Sequence, residues 1–145
     1  MDNAITVIKL NFGEAALEDA FAIRRKVFVD EQHCPAHLEY ENDDVSTHFL
    51  AKYNGTPCGA ARWRKTENGI KLERFAVLPE YRGKNIGAHL LRAVLDDVAG
   101  KASKIYLNAQ ISALGFYVPF GFKPVGEQFE EAGIIHQQML FAAHS

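Results

Sequence analysis

Residues 72–91 read LERFAVLPEYRGKNIGAHLL. They belong to a longer pattern. An apolar, β-branched run, IKLERFAVL (70–78), is stopped by Pro79. The loop Arg82-Gly83-Lys84-Asn85-Ile86-Gly87 then leads into an amphipathic segment. There Ile86, Leu90, Leu91, Val94, Leu95 and Val98 share one face, predicting a helix over about 86–99 with Gly100 as its stop. A glycine-bearing loop that opens a helix has the physics of an anion site. Its backbone N–H groups can turn inwards, and the helix N-terminus adds positive potential. It is not a Walker loop, because GKS or GKT is missing, and it is not the dinucleotide GxGxxG. The plain alternative is a strand-to-helix turn whose glycines serve packing alone.

Working outward, AITVIKL (4–10) predicts a first strand and residues 14–30 a helix with an apolar arc of Ala16, Leu17, Ala20, Phe21, Ile23, Val27 and Phe28. Residues 31–47 are polar and acidic and predict a long loop, which in a compact domain needs a task or a helical turn of its own. HFLAKY (48–53) and TPCGAARWRK (56–65) precede the strand at 70–78, with Asn54-Gly55 and Asn68-Gly69 as hairpin signals. KIYLNA (104–109) predicts a strand, SALGFYVPFG (112–121) a short helix, and FKPVGEQF with HQQMLF the last strands. The order βα–βββ–α–β–α–ββ implies an α+β or mixed α/β domain, with helices packed on a largely antiparallel sheet.

At 145 residues the chain fits one domain, 1–145. Sixteen Lys plus Arg against 18 Asp plus Glu give no global pull towards nucleic acid or anionic membrane. No stretch is apolar enough to span a bilayer, and the N-terminus lacks signal-peptide character. Cys34 and Cys58 have no zinc spacing, and His33, His37, His48 and His89 suggest no metal. A reduced, cytoplasmic domain is the expectation, with a homodimer as the commonest oligomer.

The 82–87 loop resembles the acetyl-CoA-binding motif of the GNAT superfamily of N-acetyltransferases, RxxGxG/A. Arg82 and Gly87 match its outer positions, and Asn85 stands where the middle glycine is usual. Asn tolerates a left-handed backbone better than residues other than Gly. IRRKVFVDEQ (23–32), GAARWR (59–64), LERFAV (72–77), LNAQ (107–110), FYVPFGF (116–122) and AGIIHQQM (132–139) follow the order of a small bacterial subgroup, the YjcF-type and ElaA-type acetyltransferases. The resemblance implies a twisted, mostly antiparallel sheet of six or seven strands with helices on both faces. The fourth and fifth strands (70–78 and 104–109) would splay, and acetyl-CoA would lie in the V. Its pantetheine arm would meet backbone at Phe75, Ala76 and Val77, its pyrophosphate the N–H groups of Arg82, Gly83, Lys84, Asn85, Ile86 and Gly87. Asn108 would bind the pantetheine amide or orient Tyr117.

Acetyl transfer needs an acid for the departing thiolate and a base for the attacking amine. The resemblance points to Tyr117 as the acid, a phenol of ordinary pKa ~10. A core tyrosine beside Phe116 and Phe120 is the alternative. Glu73 is the candidate base: strict alternation puts it on one face with Phe75 and Val77, where an apolar setting raises a carboxylate pKa. An ion pair with Arg62 or Arg64 is its structural alternative. Arg24 lies inside the apolar arc and must meet a carboxylate, whether Glu31, another carboxylate at the helix end, or an acidic group on the acceptor. Glu31, Arg74 and His136 complete the candidate acceptor site; Arg74 alternatively supports structure, and His136, which matches a histidine of the subgroup, is an acceptor ligand, a second base or a satisfied structural histidine. Cys34 lies in the loop over that side, without a histidine partner that spacing can place. The run Glu39, Glu41, Asp43 and Asp44 either favours a cationic amine or is a solvated face. The expected acceptor is a small-molecule or peptide amine. Other readings are an acyl-CoA-binding module without turnover, and a longer acyl donor, suggested by the likeness of Arg24–Val27–Phe28–Glu31 to acyl-homoserine-lactone synthases.

Overall fold

The computed structural model describes residues 5–39 and 41–142, with Leu38 described in its backbone only. Seven strands form one sheet: β1 (Ile5–Leu10), β2 (Ser46–Tyr53), β3 (Thr56–Thr66), β4 (Gly69–Val77), β5 (Ile105–Gln110), β6 (Phe122–Glu131) and β7 (Ile134–Phe141). Their order is β1-β2-β3-β4-β5-β7-β6, and every neighbouring pair is antiparallel except β4 and β5. The α+β expectation holds. Ala4, expected to open the first strand, lies outside the described residues. Asn54-Gly55 turns β2 into β3 with both residues at positive φ (49° and 85°), the sign pattern of a type I′ turn.

Helices cover both faces. On one, α1 (Leu17–Arg24) packs Leu17, Ala20 and Ile23 against Leu50, Ala60 and Ala76. On the other, α3 (Ile86–Val98) packs Leu90, Leu91, Val94 and Val98 against Phe49, Ala61, Trp63 and Leu72. The first helix runs on as a π-helical stretch, Arg25–Glu31, rather than ending as a plain α-helix at 30. The expected loop after it holds a turn of helix, α2 (Ala36–Glu39), and a 3₁₀ turn at Asp43–Val45. The short helix expected over 112–121 keeps α geometry only in α4 (Leu114–Tyr117), between two 3₁₀ turns. Pro119 cannot donate to a continued helix, so the tightening falls at Val118–Phe120.

One feature of β4 changes its sidedness. Ala60 pairs with Ala76, but Arg62 pairs with Glu73, so β4 carries one extra residue, and Arg74 there has φ 61°. This is a β-bulge. Before it, Ile70 and Leu72 join the α3-side core; after it, Phe75 and Val77 do, while Ala76 faces α1. Glu73 therefore lies on the opposite face from Phe75 and Val77, which corrects the reading from strict alternation.

Candidate active site

Parallel pairing of β4 and β5 is confined to Ile70–Leu72 against Ile105–Leu107. Beyond Leu72 the strands part and leave a cleft of about 570 Å³. Its α3-side wall includes Phe75, Val77, Leu107, Phe116 and Tyr117; its α1-side wall includes Val27, Phe28, Gln32, Glu39 and His136. On its other side β4 stays paired with β3 through Val77. Past Leu72, the edge of β4 at Phe75–Val77 is thus not paired with β5, and the Val77 carbonyl accepts from Arg82. Such an edge can accept an extended ligand as an added strand.

That edge leads directly to the glycine-bearing loop. Gly83 (φ 84°) and Asn85 (φ 67°, ψ 18°) are both left-handed, and Asn85 is the residue from which α3 starts. Asn85 thus supplies the backbone shape usually given by glycine there. A Cβ at Gly83 would meet nothing within 4 Å, whereas one at Gly87 would lie 3.3 Å from the Phe116 ring. Gly83 serves the turn and Gly87 a close helix–helix approach. Lys84 is exposed, its ammonium 5.3 Å from the Tyr53 ring centre. Arg82 and Glu31, expected on the donor and acceptor sides, grip each other through two 2.8 Å bonds, and Arg82 Nε also donates to the Val77 carbonyl. The bond from Arg82 lowers the Glu31 pKa.

The charged candidates on the α1 side form a buried network. Arg24 is 1% exposed. It donates from Nε to Glu39 (2.8 Å), from NH1 to Asp43 (2.8 Å) and from NH2 to the Glu39 carbonyl. It is buried in this network, it is not among the residues that line the cleft, and its partners are Glu39 and Asp43 rather than Glu31. Two members of the acidic run, Glu39 and Asp43, are thus turned inwards, while Glu41 and Asp44 stay exposed. Asp43 also binds Arg62 at 2.6 Å. Glu73 receives Arg62 (2.6 Å) and Arg64 (2.8 Å) on one oxygen and Lys71 (3.2 Å) on the other. Burial works to raise its pKa, but Arg62, Lys71 and Arg64 outweigh it and hold the carboxylate at about 2. The structure shows the ion-pair alternative for Glu73, and a carboxylate held so acidic is a weak proton acceptor at neutral pH. Arg74 lines the cleft and reaches Glu39, donating to its carbonyl at 3.2 Å.

Tyr117 sits on the α3 side, packed edge-on to Phe75, Phe116 and Phe122. Burial pushes its hydroxyl well above the ordinary phenol range, so it stays protonated. Asn108 lines the cleft with its Oδ1 buried and unpartnered. An orphaned buried carbonyl oxygen is costly unless something donates to it. Cys34 also lines the cleft, but burial raises its thiol pKa, which disfavours the thiolate a nucleophile needs. His136 stands on β7 opposite Gln110. Gln110 in turn reaches Gln32 at 2.9 Å, a bridge that no sequence pattern marked. The Arg24–Asp43–Arg62 junction was equally hidden, although the cost of burying Arg24 signalled that some carboxylate had to come to it.

The family model described as an acetyltransferase (GNAT) domain matches residues 11–142. The chain belongs to the GNAT acetyltransferase family. This GNAT chain is 39% identical over 130 residues to the uncharacterized N-acetyltransferase YjcF of Bacillus subtilis, covering 88% of this chain and 93% of that one. The crystal structure of Escherichia coli ElaA superposes with a TM-score of 0.82 at 29% identity, covering 95% and 99% of the two chains. A GNAT acetyltransferase from Elizabethkingia anophelis with acetyl-CoA bound shares the fold, with a TM-score of 0.67, 20% identity and 94% of each chain covered.

Proposed function

We propose that the protein transfers an acetyl group from acetyl-CoA to an amine of a small molecule or peptide, by direct attack in a ternary complex. The observation that carries this is the continuity of two binding surfaces. The unpaired β4 edge at Phe75, Ala76 and Val77 runs into the left-handed loop at the N-terminus of α3. The edge suits the amides of a pantetheine arm, and the loop from Arg82 to Gly87 suits a pyrophosphate. In this reading Asn108 Oδ1 accepts from a pantetheine N–H, which resolves its orphaned state. Backbone N–H groups near Phe75 to Val77 polarise the thioester carbonyl. The protonated Tyr117, on the donor side, gives its proton to the departing sulfur.

Thermal unfolding with and without acetyl-CoA tests the donor. At about 100 times Kd the ligand adds ~2.7 kcal/mol. For a domain of this size that is a rise of roughly 5–10 °C, and NAD, which lacks the pantetheine arm, leaves the midpoint unchanged. The absence of a shift at saturating acetyl-CoA would refute the reading.

A further inference from the structure

With Glu73 tied up, the α1 side of the cleft must hold some other acceptor for the amine proton, if the transferase reading is right. Among the described residues, the other carboxylates and histidine lining the cleft are Glu39, Glu131 and His136. Glu39 gives one oxygen to Arg24, and its other oxygen is closed off from solvent in a residue that is 0% exposed. Glu131 is exposed at the end of β6. His136 is different in kind. Its Nδ1 lies 2.7 Å from the Ile134 carbonyl oxygen, which can only accept, so Nδ1 carries the hydrogen. Nε2 is then the lone-pair nitrogen, and it has no protein partner among the described residues. The ring is stacked on Phe129, with centroids 5.9 Å apart and planes inclined by 21°, which holds its orientation. It lies beside the end of β5 and lines the cleft from the side opposite Tyr117.

We propose that His136 Nε2 is the general base of the transfer. The amine nitrogen bonds to the thioester carbonyl carbon while its proton passes to Nε2. The C–S bond then breaks with its electron pair on sulfur, Tyr117 protonates that sulfur, and solvent carries the proton from imidazolium back to the phenolate. Donor and acceptor enter from opposite faces of the splay, the acceptor over Val27 and Phe28. A primary amine on a short apolar stem, such as 2-phenylethylamine, therefore suits as a probe.

Two measurements test this. Long-range ¹H–¹⁵N spectra of the whole protein with CoA bound should show His136 as the Nδ1–H tautomer; the Nε2–H tautomer overturns the assignment. CoA release from acetyl-CoA with 2-phenylethylamine should fall ~10²–10³-fold in kcat/KM in His136→Gln, within the usual span for acid–base groups. The acidic limb of the pH–rate profile should vanish, while the acetyl-CoA thermal shift is retained. Wild-type rates and profile in His136→Gln would overturn the role of His136 alone. Binding of acetyl-CoA with no CoA release by the wild type would overturn the transferase reading together with it.

Discussion

At the scale of single residues, two side chains named from the sequence part company. Tyr117 is the proposed acid for the departing sulfur, and Tyr117→Phe should keep acetyl-CoA affinity while slowing turnover ~10²–10⁴-fold in the CoA-release assay. Glu73 is a structural anion. Its pKa is lowered from 4.5 to about 2, so the stability it supplies is fully present above pH 4.5 and disappears as the pH falls from there to 2. At 1.36 kcal/mol per pKa unit this is about 3 kcal/mol. Glu73→Gln should therefore lower the melting midpoint at neutral pH, and the gap to wild type should close in acid. A gap that does not depend on pH would show that the carboxylate charge is not what stabilises the network.

At the scale of elements, the turn into α3 was legible because chemistry marks it: glycines, a stop at Pro79 and an apolar helical face. Its middle position gives a prediction. Asn85 is left-handed at 67°, so Asn85→Gly should leave stability nearly unchanged, whereas Asn85→Val should cost about 1–2 kcal/mol and weaken acetyl-CoA binding, read by thermal unfolding with and without the donor. The bulge in β4 was not legible. A period-2 reading assumes that no residue is inserted, and Arg74, a non-glycine at φ 61°, carries no local mark of the insertion. That single unmarked residue moved Glu73 from the apolar face to the ionic one. The stretch 31–47 failed for another reason: its carboxylates look like a solvated run until Arg24 and Arg62, distant in sequence, are brought beside Glu39 and Asp43.

At the scale of the whole molecule, the order of elements along the chain followed from periodicity, and the splay and the two helical faces from family likeness; the links across the cleft did not. Two of those links, Glu31–Arg82 and Gln32–Gln110, fasten the end of the π-helical stretch to the donor loop and to β5. In the proposed reading, a pyrophosphate arriving at the loop would compete with Glu31 for Arg82, so that one strand of the fastening is exchanged for the donor. Glu31→Gln removes that competitor and should tighten acetyl-CoA binding in calorimetric titration; weaker binding would show that Glu31 instead presents Arg82 to the phosphates. The consequence reaches the order of events. The chain segment flanking the acceptor is held by the same arginine that greets the donor, so the enzyme's initial-velocity patterns should show compulsory addition, acetyl-CoA first, with the amine admitted to a site that the donor has already unlatched.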